Sequence, residues 1–126
     1  MDDVMVSDVT FPRSSEDGAA GEVMLRSTDG RVRLVLTGEI DASLAPRLSS
    51  ATAEALAREL PIDIHTRSVT FMDSSALTYL ARMASTYQPR RLTFVDPSDV
   101  VLFLLDVTKV GDVVEVVERD RGMAGQ

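Results

Sequence analysis

Phe71-Met72-Asp73-Ser74-Ser75-Ala76-Leu77 joins a strand-like run to a helical pattern. Upstream, Val69 and Phe71 are apolar with Thr70 between them, the period of an extended chain. Downstream, Leu77, Leu80 and Ala84 recur at the spacing of one helix face. Asp73, Ser74 and Ser75 occupy the junction. An Asp or Ser there can cap the first turn, and a hydroxyl there can also receive a phosphate.

Two further joints have the same grammar. Gly38-Glu39-Ile40-Asp41 ends a strand, Ser43 can cap the next helix, and Pro46 falls in that helix's first turn, where its missing N–H costs little. Phe94-Val95-Asp96-Pro97-Ser98 leads into a third helix capped by Ser98. Strands alternating with helices imply an α/β fold with a mostly parallel sheet and right-handed crossovers.

Working outward, Glu22 to Ser27 and Arg31 to Gly38 are strands separated by Asp29-Gly30, a hairpin signal that adds one antiparallel pair and makes the sheet mixed. Leu44, Leu48, Ala51 and Ala55 mark the first helix, and Pro61 its exit. Ile62 to His65 is a short strand, and Thr66-Arg67-Ser68 reads as a loop before Val69 and Phe71 return to the core. The second helix runs from Ser74 to Tyr87, the third from Asp99 to Thr108; Leu92 to Val95 and Val113 to Val117 are strands. The expected order is β-β-α-β-α-β-α-β. One domain spans residues 21–118, with residues 1–20 and 119–126 expected as flexible tails.

Composition narrows the function. With 126 residues and 44% hydrophobic content, the chain can bury one aliphatic core; it has no Trp. It has no Cys, which removes disulfide frameworks and thiolate metal or redox chemistry. A net charge of −7 disfavours nucleic acid and anionic membrane surfaces as partners. No apolar run is long enough to insert in a bilayer, and Met1-Asp2-Asp3 lacks the basic and apolar regions of a signal peptide, so a cytoplasmic location is expected. No cofactor is expected: one His and no Cys make a poor metal site, and no phosphate-binding Gly-Lys-Ser/Thr loop occurs. A Ser-His-Asp hydrolase would have to use His65 and would lack its Gly-x-Ser-x-Gly elbow.

The two hydroxyls at the junction are not equivalent. At about 100° per residue, Leu77, Leu80 and Ala84 face the core, and Ser75 points roughly 160–180° away. Thr78, Tyr79 and Arg82 share the Ser75 side, whereas Ser74 lies at the flank, nearer the buried side. Ser75 is therefore expected to be exposed and Ser74 to cap or orient the turn.

Residues 22–118 resemble the STAS-domain anti-sigma factor antagonists of bacterial partner-switching systems. The resemblance rests on Gly38-Glu39-Ile40-Asp41, on Val69-Thr70-Phe71-Met72-Asp73-Ser74-Ser75-Ala76-Leu77, and on Phe94-Val95-Asp96-Pro97-Ser98. It implies a non-enzymatic regulator of sigma-factor-dependent transcription. The second Ser of Asp-Ser-Ser, here Ser75, would be phosphorylated by a cognate anti-sigma factor kinase that supplies ATP and Mg. The unphosphorylated form would bind that kinase and the phosphorylated form release it. Asp41, Asp73 and Ser74 would shape the phosphosite, and Ala76, Thr78, Tyr79 and Arg82 would meet the partner. Ala76 replaces the family's usual Gly, and His65-Thr66-Arg67 replaces its frequent Asp-Leu-Ser. The rival expectation is a constitutive STAS subunit of a signalling scaffold or a lipid-transport ATPase complex. Val100-Val101-Leu102-Phe103-Leu104-Leu105 is apolar almost all round, so one side of the third helix is a candidate partner or self-association surface.

Overall fold

The computed structural model describes residues 8–10, 21–88 and 90–118. Their elements are β1 (Asp8–Thr10), β2 (Glu22–Thr28), β3 (Arg31–Ile40), α1 (Ala45–Ala57), β4 (Ile62–Met72), α2 (Ser74–Tyr87), β5 (Thr93–Val95), α3 (Asp99–Val107) and β6 (Glu115–Val117). The strands form one sheet in chain order from β1 to β6. β1, β2 and β3 pair antiparallel, and β3 to β6 pair parallel through the three helical crossovers. The mixed, mostly parallel sheet expected from the sequence is the one observed.

The alternation in β2 and β3 explains why the sheet has one fully buried face. Val23 and Leu25 on β2, and Val32, Leu34 and Leu36 on β3, are completely buried, while their sequence neighbours are half-buried or exposed. Ile62, Ile64, Val69 and Met72 continue that face on β4. Leu44, Leu48, Ala51 and Ala55 from α1 and its lead-in, Leu77, Leu80 and Met83 from α2, and Val101 and Leu105 from α3 pack in the same core. The hairpin turns at Asp29-Gly30, both with positive φ (53° and 74°), which fits the primed turn that an Asp-Gly pair favours.

Two expectations are corrected. Thr66-Arg67-Ser68 is not a loop: β4 runs unbroken through it. The pairing with β3 passes from Val35↔His65 to Thr37↔Ser68, so β4 carries an extra residue here, and another between Val69 and Phe71. These bulges absorb the polar residues that mimic a loop in the sequence. His65 is thereby placed inside a central strand, between Val35 and Val95, and not at a strand end. The second correction is β1, which lies within the stretch 1–20 expected as a tail; it pairs with Arg26, Leu25 and Met24 and occupies the otherwise open hydrogen-bonding edge of β2. The remaining tail residues lie outside the described ones.

At the other end of the sheet, the strand β3 and the turn after it are held from both sides. Arg31 donates to both carboxylate oxygens of Asp63, at 2.9 and 2.7 Å, fixing the start of β3 to the start of β4. Gly21 sits so close to the Glu39 carbonyl that any Cβ there would overlap it and press on Leu44. Val32 to Ile40 and Ile62 to Met72 then run in parallel to a common end, which delivers Asp41 and Asp73 side by side in the sheet order.

Candidate phosphoacceptor turn

Strands β3 and β4 end level, so the turns Ile40 to Ser43 and Met72 to Ser75 lie side by side, while β5 ends beside His65 and its joint, Val95 to Asp99, bonds Thr66 through the Ser98 N–H. Asp73 is the keystone. Its backbone is extended (φ −93°, ψ 171°), and its side chain caps α2 by accepting from the Ala76 N–H at 2.9 Å. The same carboxylate oxygen accepts from the Ser75 hydroxyl at 2.8 Å. The Asp73 N–H donates to the Ile40 carbonyl at 3.2 Å, so one residue ties the α2 start to the turn after β3. Burial works to raise the Asp73 carboxyl, but the hydrogen bonds from Ala76, from the Ser75 hydroxyl and from the Ala42 and Ser75 backbone outweigh it. The group is held below the ordinary carboxylate range.

Asp41 performs the equivalent task at the preceding joint. It caps a short 3-10 turn (Ala42–Leu44) and accepts from the Ser43 N–H at 3.0 Å and the Ser43 hydroxyl at 2.6 Å. Asp41 directly follows Ile40, whose carbonyl accepts from the Asp73 N–H.

The helix start separates its side chains sharply. Ser74 and Ser75 are exposed, whereas Ala76 and Leu77 are buried. Ser74 does not cap the helix. A carboxylate at Asp73 has the reach to take the Ala76 N–H, which leaves Ser74 as the first helical residue with its carbonyl accepting from the Thr78 hydroxyl at 2.9 Å. The expected partner-contact role of Ala76 is also corrected: its side chain is in the core, and its N–H is spent on Asp73. Because Ala76 is helical, glycine's wider conformational range is not needed there.

Thr78 and Arg82 are exposed along the outer side of α2, and Tyr79 is half-buried against the core. The Arg82 guanidinium lies 6.0 Å from the Tyr79 ring centroid. With Ser49, Thr52, Ala53 and Leu56 of α1, these two side chains line a shallow groove of about 220 Å³ between the helices.

Sequence reasoning did not single out the Asp73–Ile40 backbone bond or the exposure of Phe71. The former depends on β3 and β4 ending level; the latter on the bulge beside it, which no local pattern announces. His65 lies in β4 ten residues before Ser75 and does not reach its hydroxyl: the seven residues from His65 to Met72 span about 23 Å of extended strand. Among the described residues no group of His, Cys, Asp or Glu forms a metal site, and no helix is long and apolar enough to cross a membrane.

Comparison with known proteins is consistent with this geometry. The family model described as MlaB, STAS domain, matches residues 23–117. Among solved structures, an anti-sigma factor antagonist from Mycobacterium paratuberculosis is 19% identical with a TM-score of 0.71, over 90% of this chain and 97% of that one. A putative anti-sigma factor antagonist from Thermotoga maritima is 16% identical with a TM-score of 0.65, over 80% and 91%. The Bacillus cell fate determinant SpoIIAA in its phosphorylated form is 17% identical with a TM-score of 0.60, over 81% and 96%. These likenesses establish a shared fold. No curated protein matches the chain.

Proposed function

The chain belongs to the STAS domain family, and from that premise we propose that it is an anti-sigma factor antagonist switched by phosphorylation of Ser75. In this reading the unphosphorylated protein binds a kinase-type anti-sigma factor, which frees a sigma factor for transcription. Phosphate transferred from the kinase's Mg-ATP to Ser75 ends the complex.

The observation that carries the reading is the position of the Ser75 hydroxyl: exposed, on the first turn of α2, and hydrogen-bonded to Asp73. A phosphate there keeps the favourable field of the helix N-terminus, so the fold tolerates it. A partner docked on that turn does not. Replacing the hydroxyl proton with a group of about −1.5 to −2 charges removes the donor to Asp73 and adds repulsion. Two unit charges about 6 Å apart at an effective dielectric near 20 repel by roughly 3 kcal/mol, about two decades of affinity. SpoIIAA, which shares the fold, is itself known in phosphorylated and unphosphorylated forms.

The deciding experiment incubates the protein with kinase-type anti-sigma factors and Mg-ATP and maps phosphate by mass spectrometry. Labelling of wild type but not of Ser75→Ala supports the switch; equal labelling of both removes it. A second reading, a constitutive subunit of a signalling scaffold or lipid-transport ATPase complex, is favoured by the exposed aromatic surface formed by Phe71 and Phe103, which suits permanent attachment. It predicts no label on Ser75 and equal partner affinity for Ser75→Ala and Ser75→Glu.

A further inference from the structure

Immediately beside the phosphoacceptor turn lies an apolar groove. Phe71 and Met72 at the end of β4 and Val100, Phe103 and Leu104 on α3 enclose about 380 Å³, with Asp99 on the rim. Phe71 is 48% exposed and Phe103 is 65% exposed, and Val107, one turn beyond Phe103, is 52% exposed. Three large apolar side chains presented together on so small a domain mark an interaction surface.

The charges around the groove select its occupant. Glu39 is exposed and pairs in register with Phe71, Asp73 comes directly after Met72, and Asp99 is the acid that lines the groove itself. A second copy docked here would set these acids against their own counterparts, and an anionic lipid surface would meet the same repulsion. An apolar cleft with an acidic border is complemented by an apolar ridge with a basic one.

We propose that the Phe71–Phe103 groove is a docking site for a protein partner's apolar segment flanked by Lys or Arg. On the phosphoswitch reading, this partner is the one that engages Ser75. The groove then supplies affinity through burial, and the neighbouring turn supplies the charge switch. The aromatic contact sets which partner is recognised, and the phosphate sets whether the complex lasts.

Two synthetic helical peptides of identical Leu spacing, one flanked by Lys and the other by Glu, test the groove on the isotope-labelled full chain by NMR titration. The Lys-flanked peptide is expected to shift the Phe71, Val100 and Phe103 amides saturably and the Glu-flanked peptide not to. Phe103→Ser, at an exposed site that leaves the core intact, is expected to weaken that peptide about tenfold or more. No saturable shift, equal binding of both peptides, or undiminished binding by Phe103→Ser overturns the proposal. A concentration-dependent dimer in sedimentation that Phe103→Ser abolishes also overturns it, in favour of a second copy. The peptides carry no kinase, so their result is separate from the labelling of Ser75: peptide binding with an unlabelled Ser75 refutes the switch alone, and labelling without peptide binding refutes the groove alone.

Discussion

Asp73 and Ser75 share one hydrogen-bonded oxygen: Asp73 Oδ1 accepts the Ser75 hydroxyl at 2.8 Å and the Ala76 N–H at 2.9 Å. The carboxylate that caps the helix therefore also orients the hydroxyl proposed to be modified, so any change at Ser75 is felt by Asp73 and by the α2 start.

The charge at Ser75 is expected to control partner binding without unfolding the domain. Ser75→Glu should weaken binding of the cognate anti-sigma factor by about ten- to a hundredfold, and Ser75→Ala should leave it within a few-fold of wild type. Isothermal titration of both variants checks this. Their melting temperatures should stay close to wild type, because an acid on the first helical turn suits the helix field.

Removing the cap should cost stability rather than specificity. Asp73→Ala is expected to destabilise the domain by about 1 kcal/mol, within the usual range of roughly 0.5–2 for a lost N-cap. Chemical denaturation measures it. Asp73→Asn, which can still accept the Ala76 N–H, should lose less.

The same group sets a pH dependence. The folded Asp73 carboxyl lies below its ordinary value, so its contribution is complete above the unfolded carboxylate range and is lost as pH falls through the folded value. Wild type should lose stability on acidification below about pH 4 more steeply than Asp73→Asn, and the two curves should converge in strong acid. Parallel curves throughout would contradict the assignment of this ionisation to Asp73.

Ala76→Gly is expected to lower stability by about 1 kcal/mol, since the residue is helical and buried, while leaving the rate of Ser75 labelling unchanged. A faster label on the Gly variant would show that the kinase needs closer backbone approach than this helix start allows.

Gly21→Ala should be among the most damaging single-methyl additions. The added Cβ overlaps the Glu39 carbonyl, a backbone atom that cannot rotate away, so β3 or the turn at Asp41 must shift. A drop of about 1–3 kcal/mol in denaturation, with weaker partner binding beyond what stability explains, is the expected outcome.

Much of the fold is legible in the chain. Alternation in Arg31 to Gly38, the Asp-Gly turn, the apolar spacing after Ser74 and the capping residues at Asp73 and Ser98 are local signals, and each marks an element that forms, whereas the cap expected at Ser43 falls to Asp41, which accepts from the Ser43 N–H. The separation of exposed Ser75 from buried Leu77 comes from helical periodicity alone. Ser74 reads as a cap in the sequence because Asp and Ser are comparable caps in isolation, and only the contacts of the folded turn choose between them. Thr66 to Ser68 reads as a loop because a bulged polar stretch and a loop have the same composition.

By itself, then, the sequence determined the class of fold, the order of the elements from β2 to β6 and the exposure of Ser75 against the burial of Leu77, because these depend on neighbours within a turn or two of one another. The tertiary structure alone decided that Asp73 bonds Ile40, that Glu39 lies beside Phe71, and that Phe71 and Phe103 meet across a groove. Those relationships join residues far apart in the chain, and they exist only because two bulges set where β4 ends against β3.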